Sequence, residues 1–266
     1  MRWVKQQLRA RVGWIPPYEL RNKVLLGHTA IGLRQFERSE IARLLATMPD
    51  GVRPRARVAT VVLTYKRPEG VRQAVQSVLD QTMRDQVVVV VDDAGGQLPE
   101  FPADPRLHVV SLRHNINVLG VARNIGMGLT DSPYVAFLDD DNLWHPHHLE
   151  TALARLDAGP AGDRPDAVYT AMRRLLPDGT QHDVLSVPFD RKLATVQSFL
   201  DSNPLVVRRT PDLHYSRLRR SSTVSPKEDW EFVYRFSRRH RVEHIPEPTV
   251  DYAINPNSYW TAWEIA

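Results

Sequence analysis

Five consecutive valines, Val87 to Val91, run straight into the acidic pair Asp92-Asp93. A strand with one wet face alternates apolar and polar residues, so an unbroken apolar run belongs to a strand covered on both sides. Val58 to Thr64 (Val-Ala-Thr-Val-Val-Leu-Thr) has the same β-branched character. Between the two, Pro68 to Gln81 puts Val71, Val75, Val78 and Leu79 on one helical face. Leu107 to Leu112 reads as a third strand, Val118 to Leu129 as a helix, Tyr134 to Leu138 as a strand, and Pro146 to Leu156 as a helix. This alternation predicts an α/β fold: a Rossmann-like, mostly parallel sheet flanked by helices on both faces.

The second half is less regular. Ala167 to Thr170 and Leu205 to Arg208 read as strands, and Pro226 to His240 as a helix opened by Pro226, Glu228 and Asp229. The stretch Asp157 to Asp166 marks a boundary. The chain of 266 residues thus divides into a basic helical N-terminal extension (1–55), a first α/β half (56–156) and a second half (157–266). In the extension, Val4, Leu8 and Val12 form a narrow apolar stripe among Arg2, Lys5, Arg9 and Arg11; Pro16-Pro17 ends that segment. A second helix is predicted from Arg34 to Met48, followed by a turn at Pro49-Asp50-Gly51.

Residues 1–55 hold eleven Lys or Arg against four Asp or Glu, a net +7 on a chain whose total is +4. Such an arm suits an anionic membrane surface, or packs as a solvated helix on the main domain. No nucleic-acid-binding motif accompanies the charge, so nucleic acid is not an expected partner. The absence of cysteine excludes disulfides, thiolate zinc sites and cysteine nucleophiles. No apolar run is long enough to span a bilayer, and Met-Arg-Trp-Val-Lys at the start lacks the core of a secretory signal. The expected location is the cytoplasm, with the basic arm at the inner membrane surface.

In an open α/β sheet, ligands bind outside the carboxyl ends of the strands. The first strand is followed by Thr64, Tyr65, Lys66 and Arg67, the second by Asp92 and Asp93, and the strand ending at Leu138 by Asp139, Asp140, Asp141 and Asn142. Three adjacent carboxylates repel one another unless a cation neutralises them. Mg²⁺ or Mn²⁺ does so, combining a few carboxylates with substrate phosphates. A helix cap would need one acid there, not three.

These residues resemble the family 2 glycosyltransferases, whose nucleotide-sugar-binding α/β fold is GT-A. Four segments between Val58 and Trp144 carry the likeness: Thr64-Tyr65-Lys66-Arg67-Pro68, Val91-Asp92-Asp93-Ala94-Gly95, Gly120-Val121-Ala122-Arg123-Asn124-Ile125-Gly126, and Phe137-Leu138-Asp139-Asp140-Asp141-Asn142-Leu143-Trp144. A further patch runs from Lys227 to Trp260. The resemblance implies a donor site of Thr64, Tyr65, Arg67, Asp92, Asp93, Arg123, Asp139 and Asp140. Asp92 or Asp93 would meet a uracil or thymine ring, with one of the two shaping the turn, and Asp139 would face the donor ribose. Asp141, with Asp139, would hold the Mg²⁺ or Mn²⁺ ion that bridges the diphosphate. Arg123 would contact the nucleotide or brace the loop.

The family's general base stands in an acidic pair at a helix start, matched here by Lys227-Glu228-Asp229-Trp230-Glu231, with Asp229 in the base position. Direct attack with no covalent protein intermediate implies inversion at the anomeric carbon. In two places the chain departs from the family pattern. Val118 stands where a glycine is common, and Asn255 stands where the family tail carries a histidine; its side-chain oxygen would complete the metal site. His145, His147 and His148 crowd near the aspartates and read as solvated helix-start residues.

The implied reaction moves a sugar from a UDP-, dTDP- or GDP-linked donor to a hydroxyl or amine of a glycan, glycolipid or small molecule. A sugar nucleotidyltransferase would show a Gly-rich phosphate loop where Tyr65-Lys66-Arg67-Pro68 stands, and neither a dinucleotide fingerprint nor a P-loop is present. A degenerate glycosyltransferase-like binding module would have no need of Asp139, Asp141 and Asp229 together.

Overall fold

A computed structural model describes residues 15–48, 51–221 and 224–254. The Val4, Leu8, Val12 stripe, Pro49 and Asp50 of the expected turn, and the tail residues Asn255 to Trp260 lie outside them. Among the described residues nine strands form one sheet: β1 (Val58–Thr64), β2 (Gln86–Asp92), β3 (Leu107–Ser111), β4 (Tyr134–Asp139), β5 (Asn142–Trp144), β6 (Ala167–Leu175), β7 (Gln181–Leu185), β8 (Leu205–Arg208) and β9 (Val242–Ala253). Five α-helices among the described residues accompany them: α1 (Ile15–Leu45), α2 (Pro68–Leu79), α3 (Leu119–Gly128), α4 (His148–Asp157) and α5 (Glu228–Phe236).

The strand order is β3-β2-β1-β4-β8-β6-β9-β5, with β7 beside β6. The first four strands pair in parallel, as expected. Beyond β4 the sheet is mixed: β8 is antiparallel to both β4 and β6, β9 is parallel to β6, β5 is antiparallel to β9 and β7 antiparallel to β6. The α/β class holds, and the parallel character belongs to the first half.

The valine run behaves as its composition dictates. Val88 and Val90 point into a core made with α2 and α4, while Val89 and Val91 point into one made with α1, α3 and α5. All five valines are buried, each burial contributing about 1.5–3 kcal/mol. Helix α3 lies so close to β1 that a Cβ on Gly126 would sit 2.4 Å from Val61 Cγ1, so only glycine fits there.

Several boundaries differ from expectation. Helix α1 starts at Ile15, well before Arg34, with Pro16-Pro17 in its first turn. Proline is tolerated there because first-turn N–H groups have no intrahelical partner to lose. Leu20, Val24, Leu25 and Ile31 point outward from this helix, which blurs the apolar period. Helix α5 is shorter than Pro226 to His240, with Lys227 as its N-cap residue. Strand β9 departs from the strand pattern in sequence because Pro246 and Pro248 interrupt it, and its register against β6 shifts between Thr170 and Met172. Strand β6 runs five residues past Thr170, its buried Arg174 neutralised by Asp183 on β7.

Candidate active site

The sheet reverses its winding between β1 and β4, where an α/β sheet opens a crevice for ligand. In register, Leu63 lies level with Asp139 and Thr64 level with Asp92, so the loops after β1, β2 and β4 emerge together. Among the described residues, Lys66 (φ 56°), Ala94 (φ 58°) and Asn117 (φ 47°) are the non-glycine residues with left-handed backbone, and all three lie in loops at this edge. Such strain, on the order of 1–3 kcal/mol each, persists where the surroundings fix the loop.

The Asp139–Asp141 segment faces three ways. Asp140 turns back into the protein: it accepts from Thr64 Oγ1 at 2.7 Å, Tyr65 N at 3.3 Å and Arg67 Nη1 at 2.9 Å. It thereby clamps the β1 loop to the β4 loop, and it spends the Thr64 hydroxyl. Gly70 completes the clamp, since a Cβ there would meet the Asp140 carbonyl oxygen at 2.3 Å. Asp141 accepts from Arg67 Nη1 at 2.7 Å and from Asn142 Nδ2 at 2.8 Å. Burial and the neighbouring Asp139 push its pKa upward against the pull of Arg67. Tyr65 stands exposed at the rim, with Lys66 Nζ over its ring.

Asp139 belongs to a second cluster. Both its oxygens accept from Arg123 Nη2, at 2.8 and 3.0 Å, and Arg123 Nη1 reaches Glu228 Oε1 at 3.2 Å. Arg123 is buried and lies over the Tyr215 ring. Burial disfavours its charge, but Asp139, Tyr215 and Glu228 more than compensate and hold it protonated. One guanidinium from α3 thus joins the β4 edge to the first turn of α5.

Two residues of this cluster carry no motif. Asn203 Oδ1 accepts from the Asp139 backbone N at 2.7 Å, while its Nδ2 donates to Asp139 Oδ2 at 3.3 Å and to Asp201. Asp201, Ser202 and Asn203 are all buried. Burial and the charge of Asp139 push the Asp201 carboxyl up to about 7. In sequence, Asp-Ser-Asn before a proline reads as a surface turn, and its burial follows only from the fold.

Asp229 is the second residue of α5, beside Glu228. It is buried, and one of its oxygens accepts from Trp230 N at 2.7 Å. Burial, then Glu228, then Asp201 raise its pKa well above the ordinary carboxylate range. Tyr252 on β9 feels the same acidic surroundings; burial, Asp201, Asp141 and Asp139 all push its hydroxyl upward.

Asp92 and Asp93 stand apart from both clusters and shape loops. Asp92 accepts from Gly95 N at 2.7 Å, Gly96 N at 3.4 Å and Ser111 Oγ at 3.1 Å. Asp93 accepts from Ile116 N at 2.8 Å, Asn117 N at 3.0 Å and Asn115 Nδ2 at 2.9 Å, tying the β2 edge to the start of α3.

The histidines are not all solvated. His148 is buried against Trp144, with Nδ1 2.7 Å from Thr249 Oγ1, and burial drives its pKa down to about 3. Its backbone starts a helix, but its ring fills the core between α4 and β9. His145 contacts Asp251 at 2.9 Å and His147 contacts Glu247 at 2.9 Å.

The oxygen-only donor set of Asp139 and Asp141 suits a hard divalent cation. Asp139, Asp140, Asp141, Asp201, Glu228 and Asp229 are faced by three guanidinium groups, Arg67, Arg123 and Arg220. Burial first, and the neighbouring carboxylates second, raise the Asp141, Asp201 and Asp229 pKa values, and a dication would relieve the repulsion among the carboxylates. Among the described residues no group of three or more His, Asp or Glu forms a ready-made cage, and Asn255 lies outside them. The residues fit an ion that takes part of its coordination from substrate oxygens.

The profile of glycosyl transferase family 2 matches residues 60–179, which span β1 to the β6–β7 turn. Over 111 residues the chain is 37% identical to the succinoglycan biosynthesis protein ExoW of Rhizobium meliloti, covering 37% of this chain and 35% of that protein. The chain therefore spans about a third of the length of that relative. Among solved structures, TarS residues 1–349 of S. aureus in complex with UDP-GlcNAc align with a TM-score of 0.57 at 16% identity, covering 79% of this chain and 62% of that one. The mannosyltransferase PcManGT of Pyrobaculum calidifontis, in complex with GDP-Man and Mn²⁺, aligns with a TM-score of 0.54 at 17% identity, covering 89% and 71%. Among the described residues no helix is long and apolar enough to cross a membrane. The family match takes in the loops that carry Asp92, Arg123 and Asp139–Asp141, and over residues 60–179 the chain is similar to the family 2 glycosyltransferases, within a fold similar to that of the GT-A structures.

Proposed function

We propose that this chain is an inverting glycosyltransferase that moves a sugar from a nucleoside diphosphate donor to an acceptor hydroxyl or amine. A UDP-sugar is the favoured donor, with dTDP- and GDP-sugars as the alternatives; the acceptor is a glycan, glycolipid or small molecule. The observation that carries this reading is the Arg123 bridge, which sets the donor-edge Asp139 against the helix turn bearing Glu228 and Asp229.

Residues 56–156 form the donor half and residues 157–266 the acceptor half. In the donor half, Tyr65 and Arg67 edge the crevice, and Asp93 fixes the loop that would enclose the base. Asp139 and Asp141 would hold Mg²⁺ or Mn²⁺ together with the donor phosphates, and Asn255 would add a ligand from the tail. The ion when bound supplies a Lewis acid that neutralises the departing diphosphate.

In the acceptor half, Glu228 is engaged by Arg123, which leaves Asp229 to receive the acceptor proton. A carboxylate made more basic by burial and by its acidic neighbours is a better proton acceptor near neutral pH. The activated oxygen or nitrogen attacks the anomeric carbon, and the diphosphate leaves from the opposite face. The basic N-terminal segment would hold the reaction at the cytoplasmic face of a membrane, where a lipid-linked acceptor is available.

The test is a screen of UDP-, dTDP- and GDP-sugars with Mn²⁺ for release of the nucleoside diphosphate. Release from one donor class supports the reading. Pyrophosphate released from a nucleoside triphosphate and a sugar phosphate would identify a nucleotidyltransferase instead. Binding of UDP without any turnover would identify a binding module.

A further inference from the structure

Helix α1 has two unlike faces. Its acids, Glu19, Glu37 and Glu40, are all buried and all paired with the body of the protein. Glu19 meets Arg238 at 2.7 Å, Glu37 meets Arg217 at 2.6 Å and Asn124 at 3.0 Å, and Glu40 meets the Arg113 backbone N at 3.1 Å and its side chain. The outward face therefore displays basic charge alone: Arg21, Lys23, Arg34 and Arg38 are exposed. Arg34 and Arg38 make no ion pair with any described residue.

Between these cations lies an apolar row. Leu20, Val24 and Ile31 are 66, 73 and 76% exposed, and their spacing returns each to the same side of the helix. Leu25, 61% exposed, widens the row, and a shallow depression lined by Ile31, Arg34, Gln35 and Arg38 continues it. Aliphatic side chains collected in one patch and rimmed by charge mark a contact surface.

We propose that the outer face of α1 docks on an anionic lipid bilayer, its aliphatic row entering the headgroup boundary and Arg34 and Arg38 meeting lipid phosphates. A helix of 31 residues extends roughly 46 Å at 1.5 Å per residue, enough to lie along a membrane surface. A second copy of the chain would bring like charges together at this face. Nucleic acid would accept the arginines but offers nothing to the leucine, valine and isoleucine side chains. Ahead of α1, Arg2, Lys5, Arg9 and Arg11 extend the same sign of charge along the chain.

Docking would also orient the catalytic body. Asn22 Nδ2 donates to the Ser225 carbonyl at 3.1 Å, shortly before α5, and Glu37 holds Asn124, next to Arg123. The proposal rests on the membrane placement in the proposed function and deepens it by naming the docking face.

The test is flotation of the full chain with phosphatidylcholine vesicles, with and without phosphatidylglycerol. Two variants accompany it: Leu20→Ser with Val24→Ser and Ile31→Ser, and Arg34→Glu with Arg38→Glu. The wild type is expected to float with the anionic vesicles and to be released by salt. Each variant should partition roughly tenfold more weakly or worse, since one basic side chain near an anionic surface contributes about fivefold. UDP affinity measured on the same proteins should stay constant, which separates failure of docking from failure of the donor site. Absence of wild-type binding, or undiminished binding by either variant, overturns the proposal. So does lipid-free self-association, seen by ultracentrifugation, that the serine variant abolishes; the face would then join two copies.

Discussion

Arg123 donates from a single nitrogen to both oxygens of Asp139, at 2.8 and 3.0 Å, and its other terminal nitrogen reaches Glu228 across the crevice at 3.2 Å. The donor edge and the base-bearing helix are therefore held in register by one buried cation rather than by separate contacts. Asn203 backs the same carboxylate from below, so Asp139 is fixed on two sides.

Arg123→Met should leave Asp139 and Glu228 facing each other with no cation between them. Removing one partner of a buried ion pair typically costs about 3–5 kcal/mol. Urea unfolding is expected to show a loss of that order, and UDP affinity should fall as the β4 edge relaxes. Arg123→Lys keeps the charge but lacks the fork, so it should fall between wild type and the methionine variant. An unchanged urea midpoint for Arg123→Met would contradict a bridging role.

Asp229→Asn separates the proposed base from the donor site. Turnover should drop ~10²–10⁴-fold, or about 3–5 kcal/mol of barrier, as general-base catalysis is lost. UDP affinity should hardly change. The amide keeps an oxygen for the Trp230 N–H and removes a charge that Glu228 and Asp201 oppose, so the melting temperature should hold or rise. Near-normal turnover would move the base elsewhere, with Glu228 next in line.

Much of this organisation was legible in the sequence, for reasons that differ by element. The valine run, the helix of Val71 to Leu79 and the placing of acids after β1, β2 and β4 follow from periodicity and strand polarity. The roles inside the acidic segment do not: Asp140 faces inward onto Thr64 and Arg67, and nothing in three consecutive aspartates says which one turns back. Asn203 was invisible because burial of a polar turn depends on strands far away in the chain. Strand β9 was hidden by its prolines, and the first half of α1 by aliphatics on its outer face.

Donor binding should depend on a divalent cation. Calorimetry with UDP is expected to show high affinity with Mn²⁺ or Mg²⁺ and much weaker binding in EDTA. Asp141→Asn should reproduce the EDTA result in the presence of metal. Asp140→Asn should instead loosen the clamp between the β1 and β4 loops, lowering stability as well as affinity, because Thr64, Tyr65 and Arg67 all converge on that carboxylate. Equal UDP affinity with and without EDTA would remove the ion from the donor site.

His148 gives the protein an acid-sensitive core. Burial holds its folded pKa at about 3, against an ordinary value near 6.5 in the unfolded chain. A depressed folded pKa means that the unfolded chain takes up the proton first. Stability from this group is therefore complete above pH 6.5 and is lost as the pH falls from there toward 3. Each pH unit within that window removes about 1.4 kcal/mol, so pH 5 should cost roughly 2 kcal/mol relative to pH 7.5. His148→Phe keeps a ring against Trp144 and cannot be protonated. It leaves the Thr170 and Thr249 hydroxyls bonded to each other at 2.8 Å, which limits its own cost at neutral pH. Urea unfolding of both proteins from pH 7.5 to pH 5 should give curves that converge as the pH falls, the phenylalanine variant losing roughly 2 kcal/mol less over the interval. Parallel curves would mean that His148 accepts its proton within the folded core.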